Sequence, residues 1–219
     1  MGRIVTSNSF LVFSRGVLSI KMPETFYIID GHAHLYASYF AIRALSSPSG
    51  EPTNAVFGMT SVLLKVLRDC QPDYLVVAFD PPGPVFRHEI HAEYKANRPE
   101  MPQDLRSQVG RIQEVCRAIG ITPVVVEGFE ADDVIGTLTG MVTQAGKEVV
   151  ICSKDKDLEQ LLGPGVTMYD TRKDKVFDEQ WLLAEKGIRP DQVADVLALA
   201  GDATDNIPGV EGILSLIHI

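Results

Sequence analysis

Short apolar runs alternate along the chain with longer segments in which apolar residues recur every three or four positions. A short continuous apolar run is typical of a strand covered on both faces, and the longer spacing is typical of an amphipathic helix. The runs predict strands at 26–30, 74–80, 124–126, 148–152, 166–169 and 175–177. The spacing predicts helices at 33–43, from a Thr53 cap to Leu67, from 105 to a stop at Gly120, from 134 to near Gly146, and at 158–162, 179–186 and 190–200.

Strands that alternate with helices predict right-handed βαβ units, and therefore a mainly parallel sheet with helices on both faces. The expected fold class is three-layer α/β/α. The segment 81–102 does not follow this pattern, because it is polar and holds five of the thirteen prolines. We call it the excursion. A long excursion from a compact domain is usually functional.

Composition excludes several classes of protein. With 219 residues, 45% of them apolar, the chain can form one full core and a small second unit, and it is too apolar to be mainly disordered. No uninterrupted apolar stretch is long enough for a membrane span. Cys70, Cys116 and Cys152 form no C-x-x-C motif, and we interpret them as reduced thiols of a cytoplasmic protein. The net charge of −9, taken alone, argues against a nucleic-acid binder.

Acidic residues follow the ends of four successive predicted strands. Because the carboxyl ends of parallel strands meet at one edge of a sheet, these acids are expected to lie together there. A single such acid is commonly only a helix cap, but a cluster repels itself and requires cations. Oxygen ligands suit Mg²⁺ or Mn²⁺, and two such ions can activate water and stabilise a leaving oxygen. The strand-end acids are Asp30, Asp80, Glu130, Asp132, Asp133, Asp155 and Asp157, and Asp202 and Asp205 follow the last helix.

The excursion carries Arg87, Lys95, Arg98 and Arg106, with Tyr94 among them. Nearby acids almost cancel these charges, so a solvated loop of mixed charge remains an alternative to a binding surface. Lys95 and Arg98 share a face if residues 94–98 are helical.

Seven motifs, in this order, carry a resemblance to a known family. The chain resembles the 5′-nuclease domain of bacterial DNA polymerase I, of the flap endonuclease and 5′–3′ exonuclease family, over about residues 26–213. The motifs are Asp30-Gly31, Phe79-Asp80, Phe86-Arg87, Tyr94-Lys95-Ala96-Asn97-Arg98-Pro99, Glu130-Ala131-Asp132-Asp133, Asp155-Lys156-Asp157-Leu158 and the segment from Gly201-Asp202 through Asp205-Asn206-Ile207-Pro208-Gly209-Val210.

The resemblance implies a PIN-like core at 23–186 with a helical arch at about 84–104, and the start of a duplex-binding helix–three-turn–helix at 187–213. It implies that Lys95 and Arg98 stabilise charge on the scissile phosphate, that Tyr94 stacks on a base and that Arg87 contacts phosphate. The implied ligands of one metal are Asp30, Asp80, Glu130 and Asp132, and those of a second site or its outer shell are Asp133, Asp155, Asp157, Asp202 and Asp205. The segment that includes Gly209 and Gly212 is implied to hold duplex phosphates through backbone amides, with a K⁺ ion where the module is intact.

The implied activity is hydrolysis of phosphodiesters in duplex DNA with a 5′ flap or nick, which leaves a 5′-phosphate and a 3′-hydroxyl, in replication and repair. We expect two or more Mg²⁺ or Mn²⁺ ions, a monomer, no membrane partner, and a cytoplasmic location at the nucleoid. One departure from the family is Lys154, which stands where a glycine commonly precedes Asp155-Lys156-Asp157.

Both termini carry expectations of their own. Met22 stands just before the first strong element, so residues 1–21 are either upstream sequence or a short N-terminal arm. The hexapeptide 214–219 matches an in-frame translation of a sequencing adapter, which indicates a gene fragment that lacks the polymerase portion and most of the duplex-binding module.

Three other interpretations stay open. His32 and His34 form an H-x-H pair of the kind that binds metal in amidohydrolase barrels, although the remaining histidines do not follow predicted strands. A PIN-type ribonuclease would share the acids. A DNA-binding fragment made inactive by truncation would share the whole sequence.

Overall fold

A computed structural model describes residues 23–43 and 45–213. The expectations for residues 1–22 and 214–219 lie outside these residues. Among the described residues, every helix is too short or too polar to span a lipid bilayer.

Six strands form one sheet whose central part is parallel. They are β1 Thr25–Asp30, β2 Tyr74–Phe79, β3 Thr122–Val125, β4 Glu148–Cys152, β5 Val166–Asp170 and β6 Lys175–Phe177. Their order is β3–β2–β1–β4–β5–β6, and only the β5–β6 pair is antiparallel. The chain order therefore reverses between β1 and β4, where ligands bind in open parallel sheets.

Seven α-helices surround the sheet in the described part of the chain. They are α1 Gly31–Ala41, α2 Asn54–Lys65, α3 Phe86–Ile90, α4 Gln103–Ala118, α5 Ala131–Gln144, α6 Glu179–Lys186 and α7 Val193–Ala200. A π-helical segment, Val66–Cys70, continues α2, and Lys156–Leu161 and Pro190–Gln192 are 3₁₀ turns. The short helix expected at 158–162 is the 3₁₀ helix Lys156–Leu161, and the Thr53 side chain makes no capping hydrogen bond.

Two separate cores flank the sheet, because successive strand residues point to opposite faces. Ile28 packs with α5 and α6 on one face, and its neighbour Ile29 packs with α1, α2 and α4 on the other. This arrangement confirms the three-layer α/β/α prediction.

Strand β3 begins earlier than its apolar run indicates. It pairs with β2 from Thr122 to Val125 and contains Pro123. Proline removes a backbone donor, and it is accepted here because β3 is an edge strand.

The excursion contains one short helix, α3, followed by consecutive turns at 92–97. Residues 94–98 are not helical, since Lys95 has a left-handed backbone with φ of 57°. The condition under which Lys95 and Arg98 would share a helix face is therefore not met.

The segment after α7 turns sharply back on itself. Gly201 has φ of 76°, and a Cβ atom on Gly209 would lie 2.4 Å from the carbonyl oxygen of Ala200. Gly209 is thus required for close backbone packing, while a Cβ on Gly212 would meet open space.

Candidate metal centre

Asp30 sits at the reversal of strand order, at the end of β1. One of its carboxylate oxygens accepts from the backbone N–H of Ala33 at 3.0 Å and caps α1, and the other accepts from the Ser153 hydroxyl at 2.8 Å. The residue is only 4% exposed. Burial, with the charges of Asp80 and Asp155, raises the pKa of Asp30 to about 6.

Gly31 explains how α1 can start immediately after Asp30. A Cβ atom here would lie 2.6 Å from both the Ala78 carbonyl oxygen and the Phe79 ring. The helix therefore rests directly on β2, and this contact sets the position of the Asp30 carboxylate.

Three acids at the start of α5 point in different directions, because successive helical residues are rotated by about 100°. Glu130 accepts hydrogen bonds from the Tyr94 hydroxyl at 2.9 Å and from Lys95 Nζ at 2.5 Å. Asp133 accepts two hydrogen bonds from the Arg87 guanidinium, at 2.7 and 2.8 Å. Asp132 is left to face the sheet edge.

A first carboxylate group consists of Asp30, Asp132 and Asp155, each of which offers an oxygen within 4.8 Å of the other two. Burial first, and then the charges of Asp30 and Asp155, raise the pKa of Asp132 to about 8. Asp132 therefore holds a proton at neutral pH when no cation is near, and a divalent ion would displace it.

A second carboxylate group consists of Asp157, Asp202 and Asp205, again with oxygens within 4.8 Å of one another. Lys156 lies 3.0 Å from Asp202, and Arg98 pairs with Asp205. Asp157 Oδ1 is buried and has no hydrogen-bond partner among the described residues. Burial, followed by the charge of Asp155, raises the pKa of Asp157 to about 6.

Asp80 lies beside the first group without joining it. Its carboxylate accepts from the Ala131 backbone N–H at 2.7 Å, so it ties the end of β2 to the start of α5. Its charge contributes to the raised pKa of Asp30 and Asp132.

Residues 93–98 of the excursion are docked on the loop 202–206, which carries the last two acids. Six hydrogen bonds join the two segments, and we call this contact the clasp; two of them, from Tyr94 and Arg98, end on the Asp205 carboxylate, and the other four end on backbone carbonyls. These four run from the Lys95 backbone to the Asp205 carbonyl, from Asn97 to the Ala203 carbonyl, from Arg98 to the Thr204 carbonyl and from Asn206 to the Glu93 carbonyl.

Tyr94 is part of this docking. It is 6% exposed, and its hydroxyl donates to Glu130 at 2.9 Å and to Asp205 at 3.1 Å. Tyr94 also lines the cleft beside the carboxylate groups, and its stacking on a base stays a prediction.

The two histidines of the H-x-H pair serve the fold. The Asp80 backbone N–H donates to His32 Nδ1 at 3.0 Å, and His34 donates from Nε2 to the Cys152 carbonyl at 3.1 Å. Burial lowers the pKa of both rings, that of His34 to about 4. Neither histidine belongs to a carboxylate group, so the amidohydrolase interpretation is wrong.

The structure brings six of the nine expected metal ligands into the two groups. The other three, Asp80, Glu130 and Asp133, are held by protein donors, and their roles as ligands stay predictions. The phosphate contact of Arg87 and the DNA contacts of Gly209 and Gly212 also stay predictions. Ser153, which orients Asp30, was missed, because a lone serine after a strand carries no distinctive signal.

Both groups open to one cleft of about 750 Å³, which Asp132, Asp157, Asp202 and Asp205 help to line. The donor atoms are all carboxylate oxygens, and one of them is a buried oxygen without a partner. This set fits hard divalent cations such as Mg²⁺ and Mn²⁺. The fold and the site together define the PIN-like class of metal-binding α/β proteins.

Comparison with known proteins assigns the family within that class. The family model described as 5′-3′ exonuclease, N-terminal resolvase-like domain, matches residues 25–187. A 5′-3′ exonuclease of Aquifex aeolicus is 40% identical over 190 residues, which cover 87% of this chain and 66% of that protein. DNA polymerase I of Pseudomonas aeruginosa is 42% identical over 186 residues, which cover 85% of this chain and 20% of the polymerase. The chain belongs to the 5′–3′ exonuclease family and contains its N-terminal domain.

Solved structures share the same fold. The T5 5′-exonuclease with bound zinc ions superposes with a TM-score of 0.74 at 21% identity, covering 88% of this chain and 72% of that one. Flap endonuclease-1 from Methanococcus jannaschii superposes with a TM-score of 0.53 at 19% identity, covering 88% of this chain and 68% of that one.

Proposed function

We propose that this chain is the 5′-nuclease part of a DNA polymerase I, and that it hydrolyses phosphodiesters in duplex DNA with a 5′ flap or nick. The observation that carries the proposal is the pair of carboxylate groups at one cleft, directly beside the cations Lys95 and Arg98. The names of the relatives support an activity of this kind. Replication and repair are the context that we propose for it.

Two or more Mg²⁺ or Mn²⁺ ions are the cofactors of this proposal. Asp30, Asp132 and Asp155 are the ligands for one ion, and Asp157, Asp202 and Asp205 are those for another. Such ions lower the pKa of a bound water molecule, so that hydroxide is available near neutral pH, and they stabilise the leaving oxygen of a phosphodiester.

The cations of the excursion act on the substrate. In the protein alone, Lys95 and Arg98 neutralise Glu130 and Asp205. A divalent ion at the second group would compensate the charge of Asp205, and a bound phosphodiester would offer oxygens to both Lys95 and Arg98. Lys95 and Arg98 then donate to the scissile phosphate, where negative charge grows in the transition state.

Further parts of the proposal concern binding and context. Gly209 and Gly212 lie in the segment proposed to hold duplex phosphates, with K⁺ at the complete module. A monomer at the nucleoid in the cytoplasm suits a nuclease of this kind.

The decisive experiment is a cleavage assay with a 5′-labelled flap duplex, run on this chain and on a C-terminally extended version. Each protein is assayed with Mg²⁺, with Mn²⁺ and with a chelator. Metal-dependent release of the flap by this chain supports the proposal. Cleavage of single-stranded RNA but not of the flap would favour a PIN-type ribonuclease. Activity of the extended chain alone would identify the present chain as an inactive DNA-binding fragment.

A further inference from the structure

A second cavity adjoins the first carboxylate group and has no part in the proposal above. It has a volume of about 270 Å³ and lies between the ends of β4 and β5 and one face of α1. Asp155 and its neighbours Ser153 and Lys154 form one wall, Ala33 and Ala37 leave the space open, and Arg172 closes the other side. Because Asp155 lines this cavity and also belongs to the first group, the two sites are adjacent.

Two cations line this cavity, and they differ in how they are held. Lys154 lies 3.2 Å from the buried carboxylate of Asp170. The other oxygen of Asp170 accepts from the backbone N–H groups of Arg172 and Lys173, at 2.9 and 3.2 Å. Arg172 is exposed, and its guanidinium makes no ion pair with any residue that the structure describes.

The charges at this cavity do not cancel once metal is bound. Asp170 is compensated by Lys154 and two backbone donors, and Asp155 faces the proposed divalent ion. Arg172 therefore remains as an uncompensated positive charge on a chain whose net charge is −9. His34, which lines the same cavity, is buried and neutral, and Arg172 contributes to its lowered pKa.

Lys154 is the second cation of this cavity. A lysine there adds four methylenes and a charge to the rim of the cavity, and its side chain is 52% exposed. An arginine that presents a planar fork, next to a lysine that acts as a point charge, suits the oxygens of a phosphate.

We propose that this cavity is a phosphate subsite, in which Arg172 and Lys154 hold a backbone phosphodiester of the same DNA strand, next to the phosphate at the carboxylate groups. This inference rests on the proposed function. A DNA phosphate is a better match than a free anion, because a strand that places one phosphate at Asp155 carries further phosphates past the adjoining wall.

The first test measures the salt dependence of DNA binding. Flap duplex binding is followed by fluorescence anisotropy over a series of KCl concentrations, with Mg²⁺, on an Asp132→Asn background that prevents turnover. Arg172→Gln and Lys154→Gln are each expected to weaken binding three- to tenfold at low salt, and to reduce the salt slope by about 1. The matched control is Arg117→Gln, which removes an exposed charge near the start of β3, at the opposite edge of the sheet, and leaves the slope unchanged.

The second test identifies the phosphate. Single phosphates near the cleavage position are replaced by neutral methylphosphonates. At one position, the methylphosphonate is expected to weaken DNA binding by the parent but not by Arg172→Gln, because that variant has already lost the contact. The thermal unfolding midpoint of every variant is measured as a control for folding. If Lys154→Gln lowers the midpoint because its contact with Asp170 is lost, the result for Arg172→Gln decides the test.

The outcomes separate this inference from the proposed function. Unchanged slopes in both variants, with no coupled phosphate position, would overturn the subsite while flap cleavage by the parent still stood. Binding of inorganic phosphate is also measured without DNA. If these substitutions abolish that binding and leave DNA binding unaltered, the cavity is a free-anion site and the subsite proposal is overturned. A parent that neither binds nor cleaves flap DNA would remove the proposed function and the subsite together.

Discussion

The backbone N–H of Lys95 donates a hydrogen bond of 2.9 Å to the carbonyl oxygen of Asp205. The two residues belong to polar loops far apart in the sequence, and this bond belongs to the clasp that joins them. The Lys95 ammonium is thereby set between Glu130 and Asp205, at 2.5 and 3.8 Å from their carboxylate oxygens. Backbone geometry, rather than the side chain itself, fixes where this cation stands.

Replacing Asp132 by Asn should abolish flap cleavage and largely spare DNA binding. The amide keeps the shape of the side chain but removes the charge that completes the first group. Turnover and binding are measured separately, by product release and by anisotropy. Asp195→Asn is the matched control, since Asp195 is exposed on α7 and belongs to neither group. Cleavage by Asp132→Asn at the rate of the parent would contradict the metal role.

Replacing Lys95 by Ala should lower kcat by about a hundredfold while affinity falls only a few-fold, because the ammonium acts on charge that grows in the transition state. The backbone bond to Asp205 does not depend on the side chain, so the loop stays in place. Single-turnover kinetics separates chemistry from binding. Lys147→Ala, just before the amino end of β4, is the control. Equal losses in rate and affinity would make Lys95 a binding contact instead.

Two glycine substitutions should change stability in opposite directions. Gly31→Ala places a Cβ 2.6 Å from backbone and ring atoms, and overpacking of this kind costs about 1–3 kcal/mol. Gly110→Ala lies within α4, with nothing within 4 Å, and should stabilise the protein by about 0.5–1 kcal/mol. Denaturant unfolding of both variants measures the two effects. A Gly31→Ala protein as stable as the parent would show that α1 does not rest on β2 as described.

The metal-free protein should lose stability as pH rises from about 6.5 to 8. The pKa of Asp132 is about 8 in the folded protein and near 3.8 when unfolded, so the folded state binds the extra proton and loses this advantage as that proton dissociates. His32 and His34, whose pKa values are lowered, act in the opposite direction only below about 6.5. The measurement is the free energy of unfolding against pH in a chelator.

Two comparisons isolate the source of this pH dependence. Asp132→Asn should be flatter than the parent over the same range, because the titrating carboxyl is gone. Adding Mg²⁺ should stabilise the parent more at pH 8 than at pH 6.5, because fewer protons have to be displaced. A parent and Asp132→Asn with parallel pH profiles would contradict the raised pKa of Asp132.

Local sequence signals were enough for much of this fold. The apolar runs placed β1, β2 and β4, and acids at the ends of three strands predicted where Asp30, Asp132 and Asp155 meet. Those predictions depend on periodicity and on the geometry of parallel sheets, which act over short stretches of chain. Edge strand β3 was misplaced, because its Pro123 hides a strand that only its pairing with β2 reveals.

The sequence does not predict which partner each of these acids contacts. Nothing in the motif Glu130-Ala131-Asp132-Asp133 tells which acid joins the first carboxylate group, which pairs with Arg87 and which with Lys95. Those partners come from the excursion, and its docking depends on tertiary contacts with residues 202–206. Burial of Tyr94 has the same origin.

The clasp between residues 93–98 and 202–206 also has a bearing on biosynthesis. A ribosome adds residues from the amino end, and a nascent chain can form its sheet long before Asp205 has left the exit tunnel. Asp202 and Asp205 are among the last described residues to emerge, so the second carboxylate group and the seat of Lys95 are assembled late. On the proposed function, a polypeptide still under synthesis cannot complete the second carboxylate group until residues 202–206 are outside the ribosome.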